Sequence, residues 1–295
     1  MKQFLSSCPY CKSVNIIKYL TSADYRFSKE NFDLYFCNEC DLLFTNPRPN
    51  ENDAILYYDS KNYVSHSDEA KGITNKLYVI VRKYTLNKKL SIINKLHPQK
   101  GKLLDIGCGS GHFLYACKKN GWNVAGIEVN DIARKNAEEL VNENILKEIN
   151  LVDKNHPFDI ITLWHVLEHI YNLNEYLLKI NNLLNHKGYL IIAVPNHQSY
   201  DCKKYKQYWA AYDVPRHVYH FSKKSLEYVL NDSGFKIVDI LPMIFDSFYI
   251  SMLSEKYKYN KINFLRAMMV GLISNIKALN TGDYSSLIYV CKKIS

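Results

Sequence analysis

The sequence predicts an α/β fold: a mostly parallel sheet with helices on both faces, preceded by a small cysteine-bearing module. Three observations carry this reading. From residue 101 onward, short apolar runs alternate with amphipathic segments, the pattern of consecutive βαβ units. A glycine-rich turn, LLDIGCGSGHF (103–113), joins the first such run to the first such segment. Ahead of both, two Cys-x-x-Cys pairs are separated by 25 residues.

The organisation follows in order. Residues 1–50 hold the cysteine pairs and end in the turn-rich TNPRPN, a boundary signal. Residues 51–100 form a tyrosine- and lysine-rich linker. Within it Leu77, Val81, Leu86, Leu90, Ile93 and Leu96 recur at near-helical spacing and predict a helix from about Asn75 to Leu96. Residues 101–295 form the α/β domain. Its expected strands are KLLDI (102–106), NVAGIEV (123–129), FDIITLW (158–164), GYLIIAVP (188–195), FKIVDIL (235–241) and SSLIYVCKK (285–293). Helical patterns fall at roughly 111–121, 131–143, 173–185 and 222–233. An insertion, 242–284, separates the last two strands.

Composition narrows the function classes. At 295 residues and 47% hydrophobic content, the chain has the material for a full α/β domain and a smaller appendage. The net charge of +9 raises a nucleic-acid partner. Only six of the 38 basic residues are arginine, however, and the lysines are scattered rather than gathered in a block, which points to a solvated surface. No run of 18 apolar residues occurs and the first residues lack a signal-peptide core, so the expectation is a cytoplasmic protein without a transmembrane segment.

Without a secretory signal, disulfides are a poor explanation for Cys8, Cys11, Cys37 and Cys40. Four thiolates close a tetrahedral shell around structural zinc, which makes residues 1–50 a zinc-ribbon-like module; a redox dithiol pair is the alternative.

The glycine loop follows a strand and opens a helix, with the pattern Asp105-x-Gly107-x-Gly109-x-Gly111. A dinucleotide fingerprint needs a glycine where this chain has His112, and there is no P-loop lysine, so phosphate binding is the weaker explanation. Glu128 stands 21 residues after Gly107, at the end of the next strand, where a carboxylate can accept from both ribose hydroxyls. The pair suits a nucleoside carrying an amino-acid tail.

On these residues the chain resembles the class I S-adenosylmethionine-dependent methyltransferases. LLDIGCGSGHF is similar to their first motif, GIEVN to their second-strand acid, FDIITLWHVLEHI (158–170) to the segment after their fourth strand and LLNHKGYLIIAVPN (183–196) to their fifth. The resemblance implies a Rossmann-like methyltransferase fold with a seven-stranded sheet, S-adenosylmethionine as cofactor, and methyl transfer as the activity. It implies Gly107 and Gly109 beside the methionine moiety, with Cys108 and Gly111 completing the loop and Asp105 ordering it. Glu128 would hold the ribose, Val129 the adenine face, Asn150 the adenine amine, and Trp164 with His165 the sulfonium end. A non-catalytic nucleotide-binding scaffold is the alternative.

Methyl transfer from a sulfonium is an in-line displacement, so alignment is the main requirement, with a base where the acceptor is a hydroxyl or an acidic carbon. After the fourth strand stands LWHVLEH, not the Asn/Asp-Pro-Pro-Tyr type of the nucleobase amine methyltransferases. His165, Glu168 and His169 resemble the matching segment of quinone-biosynthesis O-methyltransferases; on a helix they share a face and permit a divalent metal, or the Glu-His pair supports the helix start. The zinc module has counterparts in sugar C-methyltransferases and in ribosomal RNA methyltransferases. The expected acceptor is therefore a small molecule, a sugar or another hydroxylated metabolite methylated on oxygen or carbon, with RNA as the alternative. Acceptor-side candidates are Arg216, His217 and His220 in YDVPRHVYHFS (212–222), with Phe245, Asp246, Phe248 and Tyr249 as candidate pocket lining. Tyr63 and His66 are candidates for a lid.

Overall fold

The computed structural model describes residues 2–58 and 73–294; the lid candidates Tyr63 and His66 lie outside them. The chain begins with five strands, β1 (Lys2–Gln3), β2 (Ile16–Ala23), β3 (Asn31–Cys37), β4 (Leu43–Thr45) and β5 (Arg48–Pro49). Helix α1 (Ile73–Leu96) leads into β6 (Lys102–Ile106), α2 (His112–Lys119), β7 (Asn123–Ile127), α3 (Asp131–Val141), β8 (Ile145–Leu146) and β9 (Phe158–Trp164). Then come α4 (Leu173–Leu183), β10 (Leu184–Pro195), α5 (Tyr200–Tyr205), β11 (Tyr219–His220), α6 (Lys223–Asp232) and β12 (Phe235–Pro242). The insertion is a pair of helices, α7 (Asp246–Tyr259) and α8 (Phe264–Thr281), before β13 (Ser286–Lys293).

The main sheet has seven strands in the order β12-β13-β10-β9-β6-β7-β8. Strand β6 is parallel to both β7 and β9, and β7 is parallel to β8. Residues such as Leu103, Leu104, Ile160, Ile161 and Leu163 are fully buried, as near-continuous apolar strands covered on both faces must be. The expected third strand is reduced to the two residues of β8, because NILKEIN offers just one short apolar pair, Ile145 and Leu146.

The chain forms two compact units. One comprises residues 59–164, 178–192 and 290–295; the other comprises residues 1–58, 165–177 and 193–289. The first contains the glycine turn. Gly111 caps α2 at φ 78°, in the left-handed region, and a Cβ there would stand 2.9 Å from the Cα of Ala137 on α3. Only glycine meets both conditions, which lets α2 and α3 pack closely behind the loop.

The second unit contains an antiparallel sheet in the order β11-β4-β3-β2. Its fourth strand comes from the YDVPRHVYHFS stretch: Tyr219 pairs with Phe44 and His220 with Leu43. Phe32, Leu34 and Leu43 of the amino-terminal segment share one core with Tyr205, Trp209, Tyr212, Val214 and Ile250. Phe32, with the partly buried Phe36 beside it, is thus packed in the same core as residues 202–214. At the edge of this core Asp201 accepts from the Trp209 indole N–H and from the hydroxyls of Ser274 and Ser285, each at 2.7 Å.

Candidate functional site

In the first unit the glycine loop is stitched to the carboxyl end of β7. The N–H groups of Gly107 and Cys108 both donate to the carbonyl of Ile127, at 2.8 and 3.0 Å. Glu128, the residue immediately after Ile127, completes the attachment: its Oε2 accepts from Gly109 N at 2.8 Å and its Oε1 from Asn130 N at 2.9 Å. Burial pushes the Glu128 carboxyl up, and these N–H donors oppose that rise. Each oxygen keeps a second lone pair for a ligand hydroxyl. Gly109 has φ 54° and no atom within 4 Å of where a Cβ would sit, so the loop backbone faces open space there.

Asp105 lies beneath the loop, buried, and its Oδ1 accepts from the Thr162 hydroxyl at 2.6 Å. Burial pushes its carboxyl up to about 7, against the downward pull of that hydroxyl. Cys108 is buried and its thiol is pushed up by burial, a packing residue rather than an exposed thiolate. Val129 is 70% exposed, an apolar side chain presented to solvent directly after Glu128. Asn150 is exposed on the short turn after β8, where its amide donates to Glu148 at 3.2 Å. At the end of β9 the Trp164 ring packs edge-on to Phe113, and its buried indole N–H has no hydrogen-bond partner. The loop, Glu128, Val129 and Asn150 are therefore carried by the carboxyl ends of neighbouring parallel strands, where open α/β sheets bind ligands.

The second unit holds a partly buried cluster of histidines and carboxylates. His165 adopts φ 58°, unusual for a side chain of its kind. Its Nδ1 lies 3.4 Å from Glu168 Oε1 and its Nε2 lies 3.2 Å from Asp246 Oδ2 at the start of α7. Burial would lower this imidazole, but the two carboxylates hold it up at about 10, as a cation. The expectation of an α-helix through residues 165–169 is not met: His165 at φ 58° and Val166 at φ −128° are both non-helical, and Leu167–His169 is a single 3-10 turn.

Glu168 is 1% exposed and neither of its oxygens has a hydrogen-bond donor. Burial alone would raise its carboxyl, yet the neighbouring imidazoles bring it below the usual range. His217 donates from Nδ1 to the Ala211 carbonyl at 2.9 Å, which leaves Nε2 with a bare lone pair 4.0 Å from Glu168 Oε1. Burial and the nearby His169 push His217 down to about 4, so it is neutral. His169 has its Nδ1 3.0 Å from the Arg216 carbonyl and 3.1 Å from the Tyr58 hydroxyl. One ligand atom from each of Glu168, His169 and His217 lies within 4.8 Å of the others, a two-histidine, one-carboxylate set that fits a divalent cation.

Arg216 and His220 stand apart from this convergence. The Arg216 guanidinium is buried, donates to Asp213 at 2.7 and 2.9 Å, to Asp24 at 3.0 Å and to the Tyr57 carbonyl at 3.0 Å. His220 is buried with its Nε2 3.1 Å from the Thr45 hydroxyl. Asp24, Asp213 and Tyr58 were not legible as partners; the three-residue spacing of Asp213 and Arg216 was the one local signal. Of the insertion candidates, Asp246 joins the cluster through His165, Phe248 packs on Gly271, and Tyr249 is 53% exposed.

The four cysteines of the second unit converge as well. Their sulfurs lie within 4.8 Å of one another, with Cys8 to Cys40 at 3.7 Å and Cys11 to Cys37 at 3.5 Å, and none is in a disulfide. Four sulfurs around one zinc at about 2.3 Å stand about 3.8 Å apart, so the cage has the size of a zinc site. Each pair forms the same knuckle: the first cysteine's N–H donates to the carbonyl five residues on (Cys8 to Ser13, Cys37 to Leu42). The residue after the second cysteine, Lys12 or Asp41, is left-handed in both.

With this geometry established, comparison with known proteins identifies the class. A family model described as a methyltransferase domain matches residues 81–240, more than half of the chain, and the chain belongs to that family. It is an S-adenosylmethionine-dependent methyltransferase. It is 25% identical over 191 residues to the ubiquinone biosynthesis O-methyltransferase of Rickettsia canadensis, covering 59% of this chain and 78% of that one. It is 34% identical to the protein of that name from Glaesserella parasuis over 108 residues, 32% of this chain and 45% of the other. The fold is shared with magnesium protoporphyrin IX methyltransferase of Synechocystis PCC 6803 solved with bound SAH, at 14% identity and TM-score 0.52, covering 78% and 91% of the two chains. A SAM-dependent methyltransferase from Thermotoga maritima gives 17% identity, TM-score 0.51, and coverage of 75% and 95%. Among the described residues no helix is long and apolar enough to cross a membrane.

Proposed function

We propose that this protein methylates a hydroxyl of a small molecule, a sugar or another hydroxylated metabolite. The observation that carries the reading is the Glu168–His217 pair: a neutral imidazole whose bare Nε2 can accept the acceptor's proton, with a buried carboxylate 4.0 Å away to stabilise the imidazolium that results. Relatives named as O-methyltransferases favour oxygen over carbon as the acceptor atom. The cofactor half is assigned to the glycine loop with Glu128, Val129, Asn150 and Trp164. Glu128 takes the ribose, the open face at Gly109 takes the methionine backbone, and Val129 takes the adenine. His165 follows Trp164 directly in the chain, so the segment that ends the cofactor half begins the acceptor half. Arg216 and His220 hold the loop that carries His217 rather than touching the acceptor, since their polar atoms are spent on Asp24, Asp213 and Thr45.

Two metals are assigned. Zinc in the four-cysteine cage is structural, because all four ligand positions are filled by sulfur. A divalent cation on Glu168, His169 and His217 is the second reading of the histidine cluster, favoured by the convergence of their ligand atoms within 4.8 Å and by Glu168 oxygens that accept no hydrogen bond. When bound there it would lower the pKa of an acceptor hydroxyl and so make its deprotonation easier.

The test uses S-adenosylmethionine with an isotopically labelled methyl group and a metabolite extract from which nucleic acid has been separated. Label is expected in a small-molecule product, and the rate is expected to fall by 10²–10⁴ in His217→Asn while S-adenosylmethionine affinity stays within about twofold. Label entering the separated RNA, assayed in parallel, with none in the metabolite extract would overturn the reading. Loss of activity on chelation, restored by added Mg²⁺, would select the metal-assisted version.

A further inference from the structure

Helix α8 is built the wrong way round for a helix that ends at the protein's own surface. The face turned inward is made of small residues: Ala267, Val270, Gly271, Ser274 and Ala278 are buried. Gly271 sits so close to α7 that a Cβ would stand 3.0 Å from the Phe248 backbone. The large apolar residues point outward. Leu265 is 70% exposed, Met269 49%, Leu272 53%, Ile276 54% and Leu279 74%. Their spacing of four, three, four and three residues places them in one stripe about 21 Å long. Single exposed leucines are ordinary, but a continuous stripe of five marks an interaction surface.

Charge decides what covers the stripe. From Lys256 to Gly282 the chain carries five basic residues, Lys256, Lys258, Lys261, Arg266 and Lys277, and no acidic one. Arg266 is matched by the buried Glu255 at 2.9 Å, which leaves four lysines, of which Lys256, Lys261 and Lys277 are exposed. A second copy of the same helix would bring like charge against like charge. An anionic lipid surface is complementary to both features: acyl chains take the apolar stripe and headgroups take the lysines, whose long stems let the ammonium groups reach outward. We propose that α8 is a membrane-surface anchor that docks this enzyme on anionic bilayers by partial insertion of the Leu265–Leu279 stripe, without spanning them.

The test is co-sedimentation of the full-length protein with vesicles of phosphatidylglycerol and phosphatidylcholine, and with vesicles of phosphatidylcholine alone. Binding is expected to the anionic vesicles and to weaken with added salt. Leu272→Gln with Ile276→Gln, both at exposed positions, should reduce the partition coefficient at least tenfold. Lys256→Gln and Lys261→Gln, both at exposed positions, should reduce it about fivefold each. Thermal unfolding and S-adenosylmethionine affinity should be unchanged in both pairs. No sedimentation with anionic vesicles overturns the proposal, and so does sedimentation indifferent to either pair. A dimer in solution that the Leu272 and Ile276 changes dissociate, without vesicle binding, assigns the stripe to a second copy and overturns it as well.

Discussion

At the scale of single residues, Arg216 shows how a conspicuous motif residue can be consumed by the fold. Its guanidinium holds two carboxylates, Asp213 and Asp24, neither of which neighbours it in a way the sequence announces beyond the three-residue step to Asp213. Burial alone would raise Asp213, but the hydrogen bonds and charge of Arg216 outweigh it and bring the carboxyl down to about 2, from an ordinary 3.8; Asp24 is lowered in the same way. A carboxyl depressed in the folded state stabilises above its ordinary value and loses that contribution as pH falls through the folded one. Asp213 should therefore contribute on the order of 2 kcal/mol that disappears between about pH 4 and pH 2. Urea midpoints measured across that window should fall for the native protein, and fall much less for Asp213→Asn. The residues proposed for the cofactor were the legible ones, since Gly107, Gly109 and Glu128 lie within a 21-position step in a fixed strand-turn-helix pattern. The Glu128 bonds to Gly109 and Asn130 follow from that short range.

At the scale of elements, most strands and helices of the α/β part coincide with their apolar periodicities. KLLDI and FDIITLW match β6 and β9 residue for residue. Such strands are read locally because burial on both faces demands an unbroken apolar run. Strand β11 was not legible, because two residues cannot announce a strand and its partner β4 lies more than 170 positions away. Thr45 fastens this junction: its N–H donates to the Val218 carbonyl at 3.1 Å and its hydroxyl to the His217 carbonyl at 2.7 Å. Thr45→Val keeps the shape and strands that buried carbonyl, so it should destabilise the protein by about 1–3 kcal/mol in urea unfolding. Thr45→Ser, which retains the hydroxyl, should recover most of the loss. The helices of the insertion were not legible, and which face of α8 turns inward depends on Gly271 fitting against Phe248, a contact no periodicity reveals.

At the scale of the whole molecule, the amino-terminal segment is tied to the loop that carries His217 rather than appended to it. The Cys37 knuckle ends β3, β3 pairs with β4, and β4 pairs with the strand that follows His217. Metal analysis is expected to find about one zinc per chain, lost when Cys37 and Cys40 become serine. Because the cage and the loop share one sheet, zinc removal should also lower methyl transfer, with a smaller effect on S-adenosylmethionine binding, whose residues lie elsewhere in the chain. The account as a whole rests on the glycine loop and Glu128 being the cofactor site. Calorimetric titration with S-adenosylmethionine tests that most directly: one site per chain is predicted, with affinity falling about tenfold to a hundredfold in Glu128→Ala through the loss of charged hydrogen bonds. No binding by the folded protein, or binding untouched by Glu128→Ala, would contradict it.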